Sequence, residues 1–311
     1  MHHSNHSSHP AVRVTVPGTS ANIGPGFDAF GLAFNLYNVF TFKEKDDGKL
    51  TIRGVPRKYQ GTNNLVYRAM QRVFKRVHYY PKGLYIHTET NVPVSRGLGS
   101  SATCIVAGLV GANALCQSPL SQNELFDMAV AMEGHPDNIA PAMFGGLVCS
   151  IGAGRHYQYI KKEVADCFAF HLIVPNFELS TKASRAALPD EISRQDGVFN
   201  VAHATMTYLA LSDGRPDILK NSMKDKLHEP YRKPLIRSFD RVKKAALDFG
   251  ALGVSISGAG PTILAITRQN NLSPFSEKMQ NFLAEAEPQW QYFDLKPENE
   301  GTKIEFHVKI D

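Results

Sequence analysis

Residues 93–103 read Pro93-Val94-Ser95-Arg96-Gly97-Leu98-Gly99-Ser100-Ser101-Ala102-Thr103 and run directly into a stretch of small apolar residues. This order predicts a glycine turn opening onto a helix N-terminus. Gly97 and Gly99 carry no Cβ, so backbone N–H groups around them can converge on an anion. A helix starting near Ser100 adds its unpaired N–H groups and the positive end of its dipole. Ser100 and Ser101 place two hydroxyls where a phosphate, or its magnesium, would lie. Residues 93–103 therefore predict a nucleoside triphosphate site. No Lys follows Gly99, which excludes a Walker loop, and the third Gly of a dinucleotide fingerprint is missing. Taken alone, such a turn is as often structural as functional, so the flanking segments decide.

The chain of 311 residues is long enough for two domains. A hydrophobic fraction of 43% and a charged fraction of 20% are those of a soluble globular protein. The net charge of +5 is spread along the chain with no aromatic-interleaved basic stripe, which argues against nucleic acid. No apolar run reaches the ~20 residues of a membrane span, and no secretory signal opens the chain. Cys104, Cys116, Cys149 and Cys167 form no C-x-x-C pair and sit in apolar surroundings. They read as core thiols in a reducing, cytoplasmic compartment. The His- and Ser-rich residues 1–10 read as a disordered leader, with a metal-binding tail as the alternative.

Alternation predicts strands over 11–16, 32–42 and 83–90, with a turn-rich segment between Pro17 and Gly31. Leu65, Val66, Ala69, Met70, Val73 and Val77 recur at helical spacing behind the caps Asn63 and Asn64. Residues 102–115 predict a helix buried on most sides. Ser121 and Glu124 form a capping-box pattern that opens a helix running to about Glu133. Short apolar runs at 145–151 and 168–174, helical periodicity over 199–213 and 235–249, and strands over 253–257, 262–267 and 303–310 complete the reading. Strands and helices intermix without strict alternation, which favours an α+β class. The terminal strand offers a pairing edge, so a homodimer is the expected assembly. The division expected is a leader over 1–10, a nucleotide-binding domain over 11–160 and a C-terminal domain over 161–311.

Three glycine-bearing segments stand out: Pro17-Gly18-Thr19-Ser20-Ala21-Asn22-Ile23-Gly24-Pro25-Gly26-Phe27-Asp28, the 93–103 turn, and Ser257-Gly258-Ala259-Gly260-Pro261-Thr262. In order and content they resemble the GHMP small-molecule kinases. Residues 133–142 (EGHPDNIAPA), 180–189 (STKASRAALP) and 229–232 (EPYR) extend the resemblance, which reaches from residue 17 to about 266. It implies an N-terminal domain with a left-handed β-α-β unit and a ferredoxin-like C-terminal domain. It also implies ATP and Mg2+ as cofactors. The implied reaction is transfer of phosphate to the side-chain hydroxyl of a small amino acid, L-homoserine, in threonine biosynthesis.

A zwitterionic acceptor needs a carboxylate for its ammonium and cations for its carboxylate. The resemblance assigns Asn22 and Asp28 to the amino end, Arg185 and Arg232 to the carboxylate, and Thr181 to an added hydroxyl contact. Paired guanidinium groups hold a carboxylate in a planar, bidentate manner that Lys cannot copy. Outside the motifs, Asp28 would read as a turn cap and the two arginines as ordinary solvated side chains. Ser101 and Glu133 are the expected Mg2+ ligands, with Asp127 a rival carboxylate because only Gly134 separates Glu133 from His135. Asn138 cannot take a proton at neutral pH but can orient the acceptor hydroxyl. His135 is a candidate base by its pKa, although packing at the loop is the more frequent role of such a His. Phosphoryl transfer depends mainly on positioning and charge neutralisation, so a dedicated base is not required. Asn64 stands either near the adenine or as a plain helix cap. A nucleotide sensor without turnover is the rival function. It would have no need to keep Ser101 and Glu133.

Overall fold

The computed structural model describes residues 10–154 and 156–308, so residues 1–9 of the expected leader and residues 309–310 of the expected terminal strand lie outside the described residues. Strand β1 (Ala11–Ala21) pairs antiparallel with the long β2 (Phe30–Lys45). It runs straight through Pro17 and Gly18, which the sequence places in a turn. A register shift between Pro17 and Thr19 absorbs the missing proline N–H, which is where a ladder tolerates proline. Strand β3 (Leu50–Arg53), helix α1 (Leu65–Arg76) and strand β4 (Gly83–Glu89) form a parallel crossover, with β4 lying against β2. Helices α2 (Ser100–Leu115), α3 (Gln122–Glu133) and α4 (Ile139–Phe144) follow, then the hairpin β5 (Leu147–Ala153) and β6 (His156–Lys162).

Local chemistry explains the helix starts. Asn64 caps α1 by accepting from the Tyr67 N–H, and Ser121 and Glu124 close a capping box on α3. Helix α2 is buried along most of its length, with Ala and Gly letting neighbours approach closely. A Cβ on Gly108 would fall 2.4 Å from the Val66 carbonyl oxygen of α1. A Cβ on Gly111 would fall 2.3 Å from the Phe42 ring of β2. These glycines let α2 pack against both α1 and the sheet.

The second domain holds β7 (Phe168–Val174), α5 (Thr181–Ala186), α6 (Arg194–Ser212), α7 (Pro216–Ser222), α8 (Glu229–Arg232) and α9 (Phe239–Asp248). It continues through β8 (Gly253–Ile256), β9 (Ile263–Arg268), α10 (Leu272–Ala286) and β10 (Gln291–Leu295). Its sheet runs β10-β7-β9-β8, all antiparallel, which is the strand order of a ferredoxin-like domain. Leu235, expected inside a helix, lies in a 3-10 turn before α9, because the chain is extended at Ile236 and Ser238 takes a left-handed φ of 61° just before Phe239.

The last strand, β11 (Lys303–Val308), does not join that sheet. It pairs antiparallel with β1, so the chain's end returns to the first domain and a single cut at residue 160 does not describe the fold. β11 is an edge strand whose Ile304 and Phe306 remain exposed. No helix among the described residues is long and apolar enough to cross a membrane.

Gly108→Ala isolates the close approach of α1 to α2, because Ala is otherwise the better helix former. We expect it to lower the unfolding free energy by about 1–3 kcal/mol, the usual cost of overpacking. Urea denaturation would measure this.

Candidate active site

The three glycine segments meet. Thr19 N–H donates to the Leu98 carbonyl, Gly258 N–H to Ala21 and Thr262 N–H to Arg96. The Ser257 hydroxyl donates to the Gly97 carbonyl at 2.6 Å and lies 2.8 Å from Ser20 Oγ. Gly97 and Gly99 have φ of 78° and 68°, in the left-handed region that favours glycine. A Cβ on Gly97 would fall 2.3 Å from the Ser257 carbonyl oxygen, and one on Gly99 would fall 2.0 Å from Thr19 Oγ1. The joined segments wall a cleft of about 630 Å³.

Of the predicted anion turn, Val94, Ser95, Arg96, Gly97, Gly99, Ser100 and Ser101 line that cleft. Pro93, Leu98, Ala102 and Thr103 do not. Leu98 and Ala102 are buried in the core, and the Thr103 hydroxyl is held by Asn38 and the Ser100 carbonyl. The Arg96 guanidinium is occupied with the carbonyls of Val94, Pro175 and Asn176, so it braces the turn.

At the start of α2 the Ser101 hydroxyl donates to Glu133 Oε2 at 2.8 Å, bringing the predicted metal pair together. Burial pushes the Glu133 carboxyl pKa up, against the Ser101 hydrogen bond. Gly134, with φ of 97°, ends α3 and turns the chain into the cleft, which is why one residue suffices between Glu133 and His135. The rival Asp127 is excluded. Its carboxylate faces His156 Nδ1 at 2.6 Å and accepts from the Tyr157 N–H at 2.9 Å, away from the cleft.

The acceptor end departs from the sequence reading in three ways. Asp28 and Arg185, expected at opposite ends of an acceptor, form a bidentate pair at 2.8 and 3.0 Å. Asn22 lines the cleft, but its amide is committed to the Gly258 carbonyl and the Asp28 N–H, so it shapes the loop. His135 does not pack away. It lines the cleft with Nδ1 2.5 Å from Asp137 Oδ1. Burial works against a charged imidazole there, yet the Asp137 hydrogen bond and the Asp137 and Glu133 charges outweigh it, and the His135 pKa is raised.

Arg232 is the most unusual group. It is 2% exposed, its guanidinium lies over the Phe27 ring, and its hydrogen-bond partners are the Gly258 and Ser184 carbonyls and His228 Nδ1. No carboxylate pairs with it among the described residues, and burial lowers its pKa. Thr181 and Asn138 also line the cleft. The Asn138 Oδ1 accepts from the Thr19 hydroxyl at 2.7 Å, which turns its Nδ2 toward Asp137. Sequence reasoning missed the far end of the cleft, formed by Gly54, Val55, Pro56, Lys58 and Tyr59 with Thr88 and Thr90. The one signal was apolar and aromatic residues in an otherwise polar loop. Asn64 serves that end as well as capping α1, since its Nδ2 holds the Tyr59 carbonyl.

The chain matches the GHMP kinases N terminal domain over residues 64–146 and the GHMP kinases C terminal domain over residues 208–285. It is 44% identical over 293 residues to a homoserine kinase of Clostridium botulinum (strain Okra / Type B1), covering 94% of this chain and 98% of that protein. The chain belongs to the GHMP kinase family. A homoserine kinase of Clostridium beijerinckii is 45% identical over 294 residues, covering 94% of this chain and 98% of that protein. The crystal structure of the homoserine kinase from Cytophaga hutchinsonii ATCC 33406 superposes with a TM-score of 0.84 at 28% identity, covering 98% of this chain and 99% of that one.

GHMP kinases use ATP with Mg2+, and the cleft suits both. The Ser101 hydroxyl and Glu133 carboxylate are hard oxygen donors already within hydrogen-bond distance of each other beside the turn. Bound Mg2+ would supply charge neutralisation to the phosphates. The Glu133 carboxyl loses its ligand oxygen charge when protonated, so Mg2+ affinity falls as pH drops through its raised pKa. We expect the Mg2+ concentration for half-maximal activity to rise at acid pH. Glu133→Gln should raise it at least about tenfold and flatten that pH dependence. Mg2+ titrations of the initial rate at several pH values would measure both.

Proposed function

We propose that this kinase transfers the γ-phosphoryl group of ATP to the side-chain hydroxyl of L-homoserine, giving O-phospho-L-homoserine and ADP. The step belongs to threonine biosynthesis. The curated relatives named homoserine kinase, aligned over nearly the whole chain, support the reading. The observation that carries it to the residues is the buried Arg232, which pairs with no carboxylate among the described residues and lines the same cleft as the Ser101–Glu133 pair.

In this reading Arg232 and Arg185 hold the acceptor carboxylate, and Asp28 holds its ammonium. The Asp28–Arg185 pair opens onto both ends of a zwitterion, so each charge of the incoming amino acid meets its opposite. Thr181 adds a hydroxyl contact. Asn138 offers the remaining N–H of its Nδ2 to the acceptor hydroxyl and orients it. The amides of residues 93–103 and the start of α2 hold the phosphates, and Ser101 with Glu133 binds the metal. Transfer through a loose transition state is then mainly a matter of alignment. Four free cysteines and the lack of a membrane-length apolar helix among the described residues fit a cytoplasmic enzyme with a small-molecule partner.

ADP release measured with homoserine, mevalonate, galactose and shikimate should show a clear preference for homoserine. A preference for another alcohol ends the substrate assignment. Arg232→Lys and Arg185→Ala should each raise the homoserine KM by about 10- to 100-fold, the worth of a charge-assisted hydrogen bond. The KM for ATP should hardly move. Unchanged homoserine KM in both variants would remove the carboxylate clamp.

A further inference from the structure

His228 is fully buried at the residue before α8 and stands behind Arg232 rather than in the cleft. Its ring stacks on Phe27 with centroids 5.2 Å apart, on the same ring that carries the Arg232 guanidinium. Helix α8 has only four residues, too few to fix its own entry, so a buried carboxylate does it. Asp225 accepts from the Leu227, His228 and Glu229 N–H groups at 3.2, 2.8 and 2.7 Å, and from Asn200 Nδ2 at 2.9 Å. The same Asn200 Nδ2 donates to the Pro25 carbonyl, so the turn that places His228 is tied to the first glycine segment.

The two ring nitrogens of His228 face groups of opposite kind. Nε2 lies 2.8 Å from the Gly24 carbonyl oxygen, which only accepts, so Nε2 carries the proton. Nδ1 faces Arg232 Nη1 at 3.5 Å, which only donates, so Nδ1 offers a lone pair. The other neutral tautomer would set lone pair against lone pair and N–H against N–H. An imidazolium would set an N–H against the guanidinium. Burial keeps the ring neutral by lowering the His228 pKa against the opposing charge of Asp225. The count of donors on Arg232 then closes. Nη1 gives one hydrogen to the Gly258 carbonyl at 3.1 Å and the other to His228, and Nε gives its own to the Ser184 carbonyl at 3.4 Å. Nη2 is the one nitrogen left without a partner among the described residues, on a side chain that lines the cleft.

We propose that His228 is a positioning residue for the acceptor: its Nδ1 lone pair takes the second Nη1 hydrogen of Arg232 and so leaves Nη2 for the acceptor carboxylate. The inference rests on Arg232 as the carboxylate clamp. Steady-state kinetics of two variants of the full chain test it. The amide of Asn reaches about as far as Nδ1, so His228→Asn keeps an acceptor for Arg232 and loses the tie to Gly24. The amide of Gln reaches about as far as Nε2, so His228→Gln keeps the Gly24 tie and loses the acceptor. His228→Gln should raise the homoserine KM about tenfold, the worth of a hydrogen bond to a charged group, and leave the ATP KM within about twofold. His228→Asn should keep the homoserine KM within about threefold of wild type while melting at a lower temperature. In an Arg232→Lys background His228→Gln should add no more than about threefold, because it acts through the group already removed. Equal effects of Asn and Gln on the homoserine KM, an ATP KM that rises in step with it, or full additivity with Arg232→Lys would each overturn the proposal and make His228 a packing residue. If His228→Gln does not fold, His228→Asn decides alone, a tenfold rise in its homoserine KM overturning the proposal and a KM near wild type supporting it. An unchanged homoserine KM in Arg232→Lys ends the clamp itself and this role with it, whereas a raised KM there with no effect of His228→Gln ends this role alone.

Discussion

The contact between the backbone of Gly97 and the turn at Ser257–Gly260 is the constraint on which the cleft depends. Two stretches of main chain, far apart in sequence and from different domains, lie closer than any side chain permits. The Ser257 hydroxyl holds them there through the Gly97 carbonyl and also reaches Ser20. The curvature of the anion turn is therefore shared between the domains. The C-terminal domain does more than close the cleft, because it shapes the loop that meets the phosphates.

Charge in the cleft is distributed unequally. Asp28 is matched to Arg185, and Asp137 to His135. Ser101 satisfies one oxygen of Glu133. Arg232 has no such match among the described residues, and taking an unpaired cation out of water costs several kcal/mol. The Phe27 ring, two carbonyls and His228 Nδ1 keep it in place. His228 packs against the same ring and holds the Gly24 carbonyl, so the wall that presents the guanidinium is tied to the first glycine segment. A fold that keeps a desolvated cation facing a cavity is arranged for an anion that offsets the cost.

Much of this was legible in the chain because it is local. The glycine turns, the capping box at Ser121 and the apolar run Phe168–Val174 announce themselves within a few residues. The Ser101–Glu133 pair was legible through the glycine turn and the family resemblance. What escaped depends on partners far along the chain. Asp28 and Arg185 are 157 residues apart, and no spacing rule tells that they face each other. Leu98 and Thr103 look like part of the anion turn until packing shows that their side chains point inward. Asp127 lost its claim to the metal only because the β6 strand brings His156 to it. The lining near Tyr59 carries no motif at all, since apolar shape can be built from many residue types.

Strand β11 has a consequence for how the molecule comes into being. Its partner β1 is synthesised long before it, and Ala11 aligns with Val308. While the polypeptide is still being made, the outer border of the first sheet stands open with its amide and carbonyl groups facing water. Only when translation has passed residue 308 can that border be sealed. The first domain is thus begun before the second and completed after it, and the whole second domain is threaded between those two moments.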